Sequence, residues 1–117
     1  MRLIKSFRYA IRGIRYCWKQ ELNFRIHMLA AATVICLASF LRCTPTEWII
    51  LIINIVLVLS LEMINTAVEN MCDVVSPFTN PQVKIIKDTS AGAVMLAATG
   101  SVVSGAVIFI PKIIQFF

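Results

Sequence analysis

Charge, histidine and chain-breaking residues are all scarce in this 117-residue chain. Only 15% of it is charged, it holds one histidine, and glycine and proline number four each, while 59% is apolar. That balance lies outside the range of soluble domains, and a water-soluble globule of this length has too little interior for the load. Lipid as the outer solvent removes the difficulty, because apolar side chains then need not share one core. The four cysteines, Cys17, Cys36, Cys43 and Cys72, show no CxxC spacing and sit in or beside apolar runs. Zinc and a disulfide framework are therefore poorly supported, and the cysteines read as small apolar packers. Acids are few as well, six against eleven Lys and Arg. Seven of those cations lie between Arg2 and Arg25 beside apolar residues, which points to anionic headgroups and away from nucleic acid. A cation interrupts the first apolar residues every three or four positions, so no secretory signal is evident and the first segment is expected to be retained.

Arg2, Lys5, Arg8, Arg12, Arg15 and Lys19 fall on one face of a helix, and Leu3, Phe7, Ile11, Ile14 and Trp18 on the other. This predicts an amphipathic helix over 1–20 lying in the membrane interface. Three membrane helices are expected after it, at 26–42, 48–73 and 88–110, giving an all-α integral membrane protein with a single domain over 1–117. The first apolar run covers about 24 Å of a hydrocarbon core of roughly 30 Å, so its polar ends must approach the interface. Thr44-Pro45-Thr46-Glu47 reads as a helix start with a capping box and proline at the first helical position. Residues 77–81 read as a polar turn, and Pro111-Lys112 as the close of the last span. Within that span Ala93, Ala97, Ser101 and Gly105 form a small-residue stripe suited to close helix approach. The distribution of Lys and Arg puts the N-terminus and the Lys84/Lys87 loop in the cytoplasm and the C-terminus outside.

The acids are placed informatively. Glu62, Asn65, Glu69 and Asp73 stand at spacings of 3, 4 and 4, within an arc of about 80° on one helix face. Ionisable groups near lipid usually face a bundle interior and serve a function. A divalent cation relieves both their desolvation and their mutual repulsion, and an oxygen-rich site suits magnesium. Lys87, Asp88 and Glu21 are the nearest groups to complete the cluster at the same membrane surface. The plainer alternative exposes Glu69 and Asp73 at a helix end and pairs Glu62 with an arginine. His27, alone at a helix start, suits a hydrogen-bonding or interfacial role better than metal ligation. Gly100 to Gly105 has the glycine spacing of a P-loop, but Ala106 and Val107 replace its Lys-Ser/Thr pair, and no protein-kinase or dinucleotide motif is present.

Three blocks resemble the prokaryotic diacylglycerol kinase family, which includes diacylglycerol and undecaprenol kinases: Glu21-Leu-Asn-Phe-Arg-Ile-His27, Glu62-Met-Ile-Asn-Thr-Ala-Val-Glu69-Asn-Met-Cys-Asp73 and Lys87-Asp88-Thr-Ser-Ala-Gly-Ala-Val94. Their order and spacing match across nearly the whole chain, and the wording of Glu21 to His27 and of Asp73 to Pro77 is similar to the undecaprenol kinase branch. The resemblance implies a homotrimer in the bacterial inner membrane, with active sites shared between subunits, that moves the γ-phosphate of magnesium ATP to a lipid hydroxyl at the cytoplasmic surface. It also implies Glu62 as the general base, and Glu21 and Glu69 as holders of Mg2+. Asn65, Asp73, Lys87 and Asp88 would order ATP together with Glu21 and Glu69, and Tyr9 and Arg2 match nucleotide-contacting positions. Phe24, Arg25 and Glu62 would meet the lipid. Asn80 stands where members often carry a histidine. Two other classes remain open from the residues alone: a small oligomeric transporter or proton relay through Glu62 and Glu69, and a membrane assembly factor using the small-residue stripe.

Overall fold

The structure is a computed structural model that describes residues 1–76, 78 and 80–117. Four helices make up the fold: α1 (Arg2–Gln20), α2 (Leu22–Phe40), α3 (Pro45–Val75) and α4 (Pro81–Phe116). The last three are long and apolar enough to cross a membrane. α3 and α4 share the most extensive contact, and α2 packs against α3. Antiparallel neighbours put two working ends on the bundle, one carrying Glu21, Glu62 and Lys87, the other Arg42, Glu47 and Lys112.

Every long helix starts before the span expected for it, and α3 and α4 also run past its end, whereas α2 stops two residues short. α2 occupies 22–40 where 26–42 is expected, α3 45–75 where 48–73 is expected, and α4 81–116 where 88–110 is expected. Apolarity marks the hydrocarbon boundary, whereas backbone hydrogen bonds carry a helix onward until a residue breaks it. Glu21 supplies one such break, its extended backbone closing α1 and opening α2. The turn expected at 77–81 lies partly outside the described residues. Pro81 opens α4, behind Asn80, whose Oδ1 accepts from the Gln82 N–H at 2.9 Å. Pro111 does not close the last helix, which continues to Phe116. Proline forfeits one helical hydrogen bond there. The final turns are held from the side by a 2.9 Å ion pair between Lys112 Nζ and Glu47 Oε1 and by Phe116 against Phe40, centroids 5.2 Å apart.

The turn joining α2 to α3 is tightly specified. Thr44 Oγ1 accepts from the Glu47 N–H at 3.2 Å and Glu47 Oε1 accepts from the Thr44 N–H at 2.9 Å, the reciprocal box expected from the sequence. Before it, the Cys43 N–H reaches the Ala38 carbonyl at 3.1 Å, and Arg42 takes φ 54° to make that closure. A buried apolar cluster of Ala38, Leu51, Ile108 and Phe109 locks the same end.

Outside this cluster most large apolar side chains stay uncovered. Ile49, Ile53, Val102 and Val107 are exposed on the long helices, as are Leu3, Phe7 and Ile11 on α1. Such surface is stable only against lipid or other apolar chains.

The left-handed backbone at Arg42 costs a residue with a Cβ about 1 kcal/mol or more, a cost glycine escapes. Arg42→Gly should therefore raise stability by about 1 kcal/mol in thermal unfolding of the detergent-solubilised protein. An unchanged or lower midpoint would show that the Arg42 side chain makes up the difference.

Candidate active site

Glu62 lies midway along α3 and is 3% exposed, an ionisable group inside a membrane helix. Its position is made by α1 and α2 folding over that stretch. α1 docks through Gly13, whose Cβ position lies 3.8 Å from Met63 Cε, and through Tyr16, whose hydroxyl accepts from Asn70 Nδ2 at 3.2 Å. Cys17 is buried one turn before Glu21. Burial pushes its thiol above the ordinary range, with a hydrogen bond to Thr66 acting the other way. The docking brings Glu21, at the α1–α2 joint, close enough for its carboxylate to repel that of Glu62.

Below Glu62 the stripe expected from the spacing is present but unevenly buried. Thr66 Oγ1 donates to the Glu62 carbonyl at 3.1 Å, a bond that satisfies a hydroxyl only 2% exposed. Asn65 Nδ2 donates to Glu69 Oε1 at 3.2 Å, while Asn65 Oδ1 is buried with no partner. Arg25 Nε is also buried without a partner. Buried polar atoms left unpaired are rare in folded proteins.

The expected residues thus divide into an inner and an outer group. Glu21, Glu62, Asn65 and Glu69 form the inner one. Asp73 and Lys87 pair across α3 and α4 at 2.7 Å, on the water side, with Lys87 also within electrostatic reach of Glu69. Asp88 turns instead to Lys84 on its own helix, at 2.6 Å, and is not drawn to Glu62. Tyr9 is 61% exposed on α1 with Arg12 over its ring, and Arg2 is exposed near the start of that helix. Phe24, 2% exposed, is packed inside the fold, and Arg25 is half-buried beside it on α2.

No arginine pairs with Glu62 among the described residues; the side chain facing its carboxylate is that of His27, Nε2 to Oε2 3.7 Å. Sequence reasoning had only the uniqueness of that histidine and its place in the Glu21 block to go on. The Lys84–Asp88 pair, at i and i+4, was legible from spacing. From His27 an apolar groove of about 280 Å3 runs between α2, α3 and α4, past Val58, Asn54 and Ser101 to Phe109.

Magnesium was tested against the donors present. Among the described residues no three of His, Cys, Asp and Glu converge as a ready-made cage. Magnesium rarely uses one, since it is commonly held by one or two carboxylates plus substrate phosphates. The carboxylates of Glu21 and Glu69 and the unpaired Asn65 oxygen are hard donors of that kind, so the residues fit.

Three helices long and apolar enough to cross a membrane, with carboxylates gathered toward one end of the bundle, define the class as a helical membrane protein. The model of the family described as prokaryotic diacylglycerol kinase matches residues 8–109. The chain is 38% identical to a diacylglycerol kinase of Synechocystis sp. over 97% of its length, spanning 65% of that protein. It is equally 38% identical to the undecaprenol kinase of Bacillus subtilis, over 96% of its own length and 91% of the other. A diacylglycerol kinase of Escherichia coli shares 27% identity over 88% and 84% of the two chains. The chain belongs to the prokaryotic diacylglycerol kinase family, a family of lipid kinases, and its three apolar helices make it an inner-membrane protein.

Docking of α1 has a chemical signature. At neutral pH a maleimide should leave Cys17 unmodified in the folded protein and modify it once the chain is unfolded, read by mass spectrometry. Rapid labelling of Cys17 in the folded state would show that α1 does not lie on α3.

Proposed function

We propose that the protein phosphorylates a membrane lipid alcohol, undecaprenol or diacylglycerol, at the cytoplasmic membrane surface, using ATP and magnesium. The observation that carries this reading is the position of Glu62, buried between a carboxylate cluster on its water side and the apolar groove that begins at its partner His27. A lipid hydroxyl lies at just such a boundary between tail and headgroup.

Glu62 takes the proton of the lipid hydroxyl as its oxygen attacks the γ-phosphorus. The bond from that phosphorus to the β,γ-bridging oxygen breaks, and ADP leaves with the electron pair. Such reactions depend on positioning and charge more than on covalent help from the protein. Glu21 and Glu69 would hold the magnesium, with the unpaired Asn65 Oδ1 as a further oxygen donor. When bound, magnesium would neutralise the charge of the phosphates. Asn65, Asp73, Lys87 and Asp88 order the nucleotide, Lys87 exchanging its contact with Asp73 for phosphate. Tyr9 and Arg2 reach the nucleotide from α1, and Phe24 and Arg25 support the lipid side.

The same reading lays α1 in the interface with its cations toward headgroups, and puts the N-terminus in the cytoplasm and the C-terminus outside. It also assembles the chain as a homotrimer with shared sites. The exposed apolar faces of the long helices leave surface for neighbouring copies to cover. The wording of the Glu21 block favours undecaprenol as acceptor. No observation favours a conduction path: the groove carries only Asn54 and Ser101 as polar residues beyond His27.

Labelled γ-phosphate should pass from magnesium ATP to one of the two lipids when purified protein is offered them separately. Glu62→Gln should cut the rate by about 10²–10⁴-fold while leaving the protein folded. Turnover retained in that variant would remove Glu62 as the base, and failure to transfer to either lipid would remove the proposed reaction. Glu69→Gln should lose activity together with its magnesium response; an ordinary magnesium titration would exclude it as a ligand.

A further inference from the structure

The single histidine has no part in the reaction as set out above, yet its Nε2 stands 3.7 Å from the buried carboxylate of Glu62. His27 belongs to α2 and Glu62 to α3, so their contact is made by tertiary packing and not by helix spacing. The other groups acting on Glu62 are the carboxylates of Glu21, at the α1–α2 joint, and Glu69, two turns along α3, and both repel it. Cys17 of α1 is close on the same side. α4 contributes no titratable side chain to the groove lining, only Ala98, Ser101, Val102, Gly105 and Phe109. His27 is thus the counterweight to two like charges among the described residues. It is also the only ionisable residue lining the groove.

We infer that His27 is a positioning residue for Glu62, holding the carboxylate at the mouth of the groove with one oxygen turned to the incoming hydroxyl. This rests on Glu62 being the base. A glutamate has three rotatable bonds, and repulsion from Glu21 and Glu69 pushes its carboxylate without choosing one direction. The imidazole Nε2 supplies the direction. At 3.7 Å the contact is too long for a hydrogen bond. Such contacts are commonly loose before substrate binds and tighten in the complex. Because His27 faces both the carboxylate and the groove, a lipid chain entering the groove would press on the group that aims the base. Acceptor binding and alignment of the base are then coupled through one side chain.

The test compares His27→Ala, His27→Asn and His27→Gln with the unaltered protein and with Glu62→Gln, all detergent-purified, using magnesium ATP and the better lipid acceptor. Glutamine places an amide nitrogen where imidazole Nε2 stands, and asparagine falls short of it. Losing alignment should lower kcat by about 100-fold in His27→Ala and His27→Asn with KM for ATP changed less than about two-fold, while His27→Gln recovers most of the rate. A role in packing alone would lower the melting temperature and leave asparagine and glutamine alike. Normal kcat in His27→Ala, a loss confined to KM, or a folded His27→Gln no faster than His27→Asn would each overturn the inference. Should His27→Ala not fold, the asparagine–glutamine contrast decides alone. Full activity in Glu62→Gln would instead refute the choice of base, and is read in a separate arm.

Discussion

The architecture turns on keeping one carboxylate, Glu62, inside a membrane helix. At 3% exposure it has no water to solvate it, and an unpaired charge in such a place costs several kcal/mol. Two helices close over that stretch from different directions: α1 packs on α3 through Gly13 and Tyr16, and α2 brings His27 to 3.7 Å from the carboxylate.

The two ends of the bundle are stabilised by opposite means. At the Arg42 end, the capping box, the Lys112–Glu47 pair and the Ala38–Phe109 cluster leave little free. At the Glu62 end, like charges gather, and Asn65 Oδ1 and Arg25 Nε go unpaired. A firmly built end can offset polar groups left unpaired at the other. The groove joins the two, running from His27, toward the charged end, to Phe109 near the packed one.

Much of this was legible in the residues, because the patterns involved are local. The capping box needs only Thr44 and Glu47, three apart, and the acid face of α3 needs only a 100° step per residue. Helix ends were less legible. Hydropathy locates the lipid boundary, and α4 runs seven residues before and six beyond its expected limits because helical hydrogen bonds do not stop where apolarity does. Pro111 misled for a related reason: a proline interrupts one bond, and contacts from Glu47 and Phe40, far off in sequence, hold the turn beyond it.

The sequence by itself determined the solvent, the number of long helices, the acid face and, through the three matching blocks, the family. Each follows from composition or from spacing within one segment. Tertiary structure alone decided which of those residues meet across helices: Asp73 and Lys87, Cys17 and Thr66, and Glu62 and His27. Each of these partnerships joins different helices, and periodicity within a helix says which face a side chain occupies but nothing about which neighbour that face will meet.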